Sequence, residues 1–205
     1  MHNANSDPLV GLLRECRDIV YLMKVIKNRR SIRDFMPNPM HLGPGEIEFL
    51  VDAARWAPSW CNTNPTRILW VDNPVTILHL AQALSEKNAA RKSFANALAV
   101  AVFCNDLEVI SGQFNDHDFG DERWTMHDLG MSLMNFCLAV SATGLGSVCV
   151  GAFDPNVLED IIGDEIPTWE AQVLVPIGVP APLPPGQEIP APPRPEMNEF
   201  LKIIG

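Results

Sequence analysis

The sequence predicts a β-sheet covered by helices, of the α/β or α+β class. Three observations lead there. The runs 97–104 (ALAVAVFC) and 172–179 (QVLVPIGV) are apolar at nearly every position, as strands buried on both faces are. The stretches between predicted strands repeat apolar residues at helical spacing. The 205 residues suffice for one domain with a sizeable core.

Taken in order, Ile19, Leu22, Met23 and Ile26 predict a helix over 8–29. Pro37 and Pro39 end regular structure there. Pro44 and Gly45 open a second helix over 44–56, whose period is carried by Ile47, Leu50, Val51 and Ala54, and Ala57-Pro58-Ser59 stops it. The run 67–71 (RILWV) reads as a strand. Ile77, Leu80, Ala81 and Leu84 share one face of a helix predicted over 74–92. After the strand at 97–104, the polar stretch 105–123 is expected to be an irregular loop or lid. A buried helix over 126–143 ends at Gly144, a usual helix-stop residue, and a strand over 147–152 follows. Asp154 as N-cap and Pro155 at the first helical position open a short helix to Ile162. Beyond the strand at 172–179, eight of the sixteen residues 180–195 are proline, which predicts an extended arm. The chain thus divides into a domain over 1–180 and an arm over 181–205. The arm ends in Phe200, Leu201, Ile203 and Ile204, and such an apolar end is expected to cross to a second subunit.

Composition narrows the partners. Asp and Glu number 25 against 15 Lys and Arg, a net charge of −10, which argues against nucleic acid and anionic membranes. The uncharged run between Leu129 and Asp154 is interrupted by Ser132, Asn135, Ser141, Thr143 and Gly144-Leu145-Gly146, so it reads as a helix and a strand rather than a membrane span. The first thirty residues hold no signal-peptide core. The five cysteines, at 16, 61, 104, 137 and 149, have no metal-type spacing. Those at 104, 137 and 149 sit in apolar segments, which suits free thiols in a reducing, cytoplasmic setting.

Against the acidic background, Arg29-Arg30-Ser31-Ile32-Arg33 is a local reversal of charge. Guanidinium forks and a hydroxyl suit the oxygens of a small anion such as phosphate; solvated cations at a helix C-terminus are the plainer alternative. Gly144-Leu145-Gly146 follows a helix and precedes a strand, the reverse of a dinucleotide-binding turn, so a helix cap and close packing are expected of it. Asp116, His117, Asp118, Asp121, Glu122, His127 and Asp128 are metal-ligand types without a compact metal spacing; a polar lid is expected and no metal is assigned. Cys61 has no identifiable base beside it and is read as a bystander.

The segments RRSIRDF (29–35), AARWAPSWCNTNP (53–65), NFCLAVSATGLGSVCVGAFD (135–154) and PIGVP (176–180), followed by Arg194-Pro195, together resemble the nitroreductase superfamily of FMN-dependent oxidoreductases. The resemblance implies an α+β three-layer sandwich, with a central mixed, mainly antiparallel sheet flanked by helices. It also implies an intertwined homodimer with FMN at the subunit interface. On that basis Arg29, Arg30 and Ser31 serve the phosphate and ribityl end, and Arg194 is a further phosphate arginine. Arg33 approaches the pyrimidine edge, where a cation stabilises charge on the reduced ring. Pro58, Ser59, Trp60 and Asn62 reach the flavin from the neighbouring subunit. The backbone N–H of Gly151, beside Val150, bonds flavin N5. Trp60 and Trp124 line the substrate pocket, under a lid at 105–125. The family's usual Gln-Pro-Trp is Asn64-Pro65-Thr66 here, which loses the aromatic ring and shortens the amide.

The activity so implied is a two-step, ping-pong reaction. NADH or NADPH gives a hydride to FMN and leaves; a nitroaromatic, a quinone or a similar small electrophile is then reduced in the same pocket. The same residues are compatible with a reductive dehalogenase or a flavin-consuming relative, and with a flavin-binding protein lacking efficient turnover. A metal protein using the stretch from His117 to His127 is a separate alternative.

Overall fold

The computed structural model describes residues 17–113, 123–187 and 189–204. At its centre lies a four-stranded antiparallel sheet in the order β1-β2-β4-β3. The strands are β1 (Thr66–Val71), β2 (Ala99–Asp106), β3 (Gly146–Ser147) and β4 (Trp169–Gly178). A parallel bridge between Ser31 and Ser147 makes the sheet mixed.

Every residue of β2 is buried, and its two-residue period feeds two cores. Val100, Val102 and Cys104 pack on one side with Ile77 and Leu80 of α3 (Pro74–Leu80) and Leu158 and Ile162 of α6 (Pro155–Ile162). Ala101 and Phe103 pack on the other with Leu50 and Ala54 of α2 (Pro44–Arg55) and Phe136 and Val140 of α5 (Arg123–Ala142). The rings of Phe103 and Phe136 meet edge to face at 5.2 Å. Helices on both faces of one sheet make the expected three-layer α+β sandwich.

Most predicted elements are present within a few residues, and α6 is capped as expected: the Asp154 side chain accepts from Asn156 N. Three expectations are corrected. The predicted helix over 74–92 is α3 only, followed by a 3-10 turn at Ala81–Ala83 and another at Arg91–Asn96. Between them Asn88 closes an Asx turn, its Oδ1 accepting from Ala90 N at 2.9 Å, which competes with helix continuation. The stretch expected to be irregular contains α4 (Leu107–Gln113), because Asp106 Oδ1 accepts from Glu108 N and Val109 N as an N-cap. The predicted strand over 147–152 shrinks to Gly146–Ser147 plus an isolated bridge from Val150 to Leu174. The pairings Ser147 with Ile177 and Val150 with Leu174 put Val148 opposite Pro176. Proline has no N–H, so that rung loses its bond from residue 176 to Val148 O, and the ladder opens there.

Gly144 ends α5 with φ +84°, the helix-stop role expected of it. Gly146 serves close packing: a Cβ there would lie 2.8 Å from Ile32 Cβ. Among the described residues, no helix is long and apolar enough to cross a membrane.

The predicted apolar face of the first helix, α1 (Arg17–Asn28), is left uncovered by the described residues: Leu22 is 53% exposed, Met23 42% and Ile26 43%. The same holds for the arm's end, α7 (Met197–Phe200) and the residues after it, where Phe200 is 79% exposed and Ile204 88%.

Candidate active site

Arg29 and Arg30 directly follow the last turn of α1. Arg30 folds back on that helix end, its Nη1 donating to Lys27 O at 2.6 Å and Arg29 O at 2.9 Å. Its Nε is buried and finds no partner among the described residues. Arg29 is half-buried, and its guanidinium likewise has no hydrogen-bond or ion-pair partner among the described residues. The next residues dock on the sheet: Ile32 N donates to Ser147 O at 2.9 Å. Arg29, Arg30, Ser141 and Ser147 line a cavity of about 480 Å³, to which Leu183 and Gln187 of the arm also contribute. Two guanidiniums with unused donors form a donor set that fits a phosphate group.

From that cavity the sheet edge leads to Val150, whose N–H and C=O are both paired with Leu174 at 2.9 Å. Gly151 follows, exposed, and its N–H has no acceptor among the described residues. A Cβ at Gly151 would meet nothing closer than Gln172 O at 3.9 Å, so the space above it is open.

The second candidate region is the loop from Pro58 to Thr66. Cys61, Asn62 and Asn64 adopt positive φ of 48°, 58° and 49°. Such backbone persists in non-glycine residues only where surrounding contacts hold it. Here Ser59 Oγ accepts from Asn64 N at 2.9 Å, and Asn64 Nδ2 donates to Asn62 O at 2.8 Å. Asp128, buried in α5, accepts from Trp60 N with both carboxylate oxygens, at 3.0 and 2.9 Å. The Trp60 and Trp124 rings stack with centroids 6.5 Å apart and planes 13° apart, and the His127 ring meets Trp124 edge-on at 5.6 Å. Ser59, Asn64, Arg67 and Asp128 line a second cavity of about 320 Å³.

The two regions are separate on one chain. Asp128 borders the loop cavity and Ser141 the arginine cavity, and both lie on α5. At about 1.5 Å rise per residue, they stand about 20 Å apart along the helix.

Comparison with known proteins agrees with this architecture. A profile described as the nitroreductase family matches residues 26–179, three quarters of the chain. The chain belongs to the nitroreductase family. No curated protein matches it. Among solved structures, a nitroreductase-like protein from Streptococcus mutans superposes with a TM-score of 0.75 at 21% identity, covering 91% of this chain and 100% of that one. A candidate NAD(P)H:FMN oxidoreductase from Staphylococcus epidermidis gives 0.71 at 16% identity, covering 89% and 95%. A candidate nitroreductase from Exiguobacterium sibiricum, solved in complex with FMN, gives 0.70 at 19% identity, covering 89% and 97%.

Within this nitroreductase-family chain the predicted site residues fall into groups. Arg29 and Arg30 come together at the first cavity, and Val150 and Gly151 follow its Ser147 along the sheet edge. Ser31 and Arg33 are exposed beside them, Arg33 Nη1 donating to Ser31 O at 3.4 Å. Pro58, Ser59, Trp60 and Asn62 belong to the loop, with Trp124 stacked against it. Arg194 is exposed on the arm and lines neither cavity. His117, Asp116, Asp118, Asp121 and Glu122 lie outside the described residues. Asp128 was grouped with that polar stretch by sequence, yet it anchors Trp60 from inside a helix. One carboxylate among the apolar residues of α5 is the signal that points to it, since a buried charge needs a partner.

Proposed function

We propose that the protein is an FMN-dependent NAD(P)H oxidoreductase. Its acceptor is a small electrophile such as a nitroaromatic or a quinone, reduced by a two-step mechanism. When bound, FMN supplies hydride chemistry, accepting from the nicotinamide and passing the electrons on. The chain's own residues bind, orient and stabilise. Arg29 and Arg30 hold the phosphate, with Ser31 beside them and Arg194 as a further cation. Gly151 N–H holds the ring edge, and Arg33 offsets negative charge near it. Pro58, Ser59, Trp60 and Asn62 complete the site from a second copy, with Trp60 and Trp124 facing the acceptor.

The observation that carries this reading is the alignment of unused donors: the Arg29 guanidinium, Arg30 Nε and Gly151 N–H follow one sheet edge. The distance of about 20 Å between the two regions along α5 supports a site shared by two chains. So do the uncovered apolar faces of α1 and of the arm's end.

The test is an anaerobic visible spectrum of the purified protein before and after NADPH, then NADH. Rapid bleaching of a flavin spectrum is the expected result. A flavin spectrum that persists with both donors would refute the oxidoreductase reading and favour a binding protein. Absence of flavin, with none taken up on adding FMN, would refute the site itself.

A further inference from the structure

Two cysteines beside Arg29 carry chemistry that the oxidoreductase reading leaves unused. Cys137 lies on α5 and is 3% exposed; Cys149 is exposed, in the opened part of the ladder after β3. Their Sγ atoms stand 3.6 Å apart. A disulfide needs about 2.05 Å between the sulfurs, so a closure of about 1.5 Å suffices. Cys149 lies between the anchored Ser147 and Val150, at a position whose own N–H and C=O make no bond to β4 among the described residues.

The two thiols are unlike. Cys137 is raised, chiefly by its hydrogen bond with Cys149 and then by burial. Cys149 is lowered, chiefly by that same bond, with the Arg29 guanidinium adding to the effect against the opposing cost of burial. An exposed thiol whose pKa is lowered, in contact with a buried thiol whose pKa is raised, is the arrangement of an attacking and a resolving thiol. Cys104 is the internal contrast: buried in the sheet, with no thiol partner beside it among the described residues, it is pushed up to about 12, chiefly by burial.

We propose that Cys149 and Cys137 form a reversible disulfide, with Cys149 the attacking thiol and a hydroperoxide the oxidant. The Cys149 sulfur, as thiolate, attacks the terminal peroxide oxygen and takes it as hydroxyl; the O–O bond breaks and the other oxygen leaves, after protonation, as the alcohol, or as water from hydrogen peroxide. Cys149 is then a sulfenic acid. Cys137 sulfur displaces that hydroxyl, its own proton leaving with the hydroxide as a second water. The two thiols are oxidised by two electrons and the peroxide is reduced by two. A small or protein dithiol restores both thiols by exchange, becoming a disulfide itself. No flavin takes part, so the inference does not rest on the oxidoreductase reading.

The experiment uses the full, reduced chain treated with one equivalent of hydrogen peroxide, quenched and digested without reductant. Mass spectrometry is expected to find the peptides of Cys137 and Cys149 joined within one chain, two hydrogens lighter, and separated again by dithiothreitol. Cys149→Ser should abolish the link, and Cys137→Ser should leave a sulfenic acid at position 149 that dimedone traps. Because Cys149 is exposed, the first variant spares the core; if Cys137→Ser fails to fold, the wild-type map still decides. Overturning results are a free Cys137 beside an over-oxidised Cys149, two thiols unchanged at excess peroxide, or Cys149 joined to another cysteine.

Discussion

The arginine cavity and the Pro58–Thr66 loop are both candidate binding surfaces, yet they are built by opposite means. The first uses ordinary backbone: a helix ends, two arginines follow, and Ile32 docks on Ser147. Its binding capacity resides in side-chain donors left unused. The second uses three residues at positive φ, held by Ser59, Asn64 and Asp128, and most of its polar groups are occupied in holding the loop. The difference teaches that one region leaves charged donors unused while the other spends its polar groups on holding a backbone shape. Losing a residue should cost affinity in the first and geometry in the second.

The largest expected effect breaks the comparison by removing the partner chain. On the proposed shared site, deleting residues 190–205 should convert the proposed dimer to a monomer in sedimentation velocity and abolish FMN retention, since the described residues leave the arm's apolar end uncovered. A truncated dimer with full flavin content would show that the arm joins neither region to a second copy.

Next, Arg29→Ala should weaken FMN about 100-fold in a fluorescence titration of the stripped protein, matching the roughly 1.5–3 kcal/mol of a charge-assisted bond. Asn64→Ala, in the loop, should change the affinity by less than about tenfold, the range of one neutral hydrogen bond. Equal losses would erase the distinction between charge and shape.

Asp128→Ala should lower stability by about 1.5–3 kcal/mol, because Trp60 N loses a charged acceptor inside the protein. Near-ultraviolet circular dichroism should change with it if the Trp60–Trp124 stack depends on that anchor. Gly146→Ala should cost about 1–3 kcal/mol in a urea melt, since the added Cβ would crowd Ile32 and push 29–33 off the sheet.

The smallest effect is a pH profile. Cys149 titrates below the usual thiol range, so its iodoacetamide reaction should reach half its maximal rate at a lower pH than a free cysteine peptide. Below that point the thiol is protonated and the rate falls. Arg29→Ala should move the midpoint upward, because the cation favours the thiolate. An unmoved midpoint would separate Arg29 from the thiol pair.

How far the fold could be read in advance depended on how local its causes are. The Asp154–Pro155 start of α6, the helix stop at Gly144 and the doubly buried β2 are each set by residues within a few positions. The break after β3 was not legible in 147–152, because its cause is Pro176 on the neighbouring strand. The 74–92 error has a local cause that periodicity hid: Asn88 bonding the backbone two residues on.

For the site, the arginine segment announced itself as a charge reversal in an acidic chain, and the ordered motifs pointed to the nitroreductase family. Residue chemistry and short-range pattern are properties of the chain before it folds, so elements and layers could be inferred from them, and the arginine segment could be singled out. Other features waited for the fold: Asp128 reaching Trp60 across 68 positions, Trp60 stacking on Trp124, and Cys137 meeting Cys149. Those contacts depend on how α5 lies across the loop and along the sheet edge. That placement follows from packing Phe136 and Val140 against the central strands, a long-range choice that no neighbouring residue encodes.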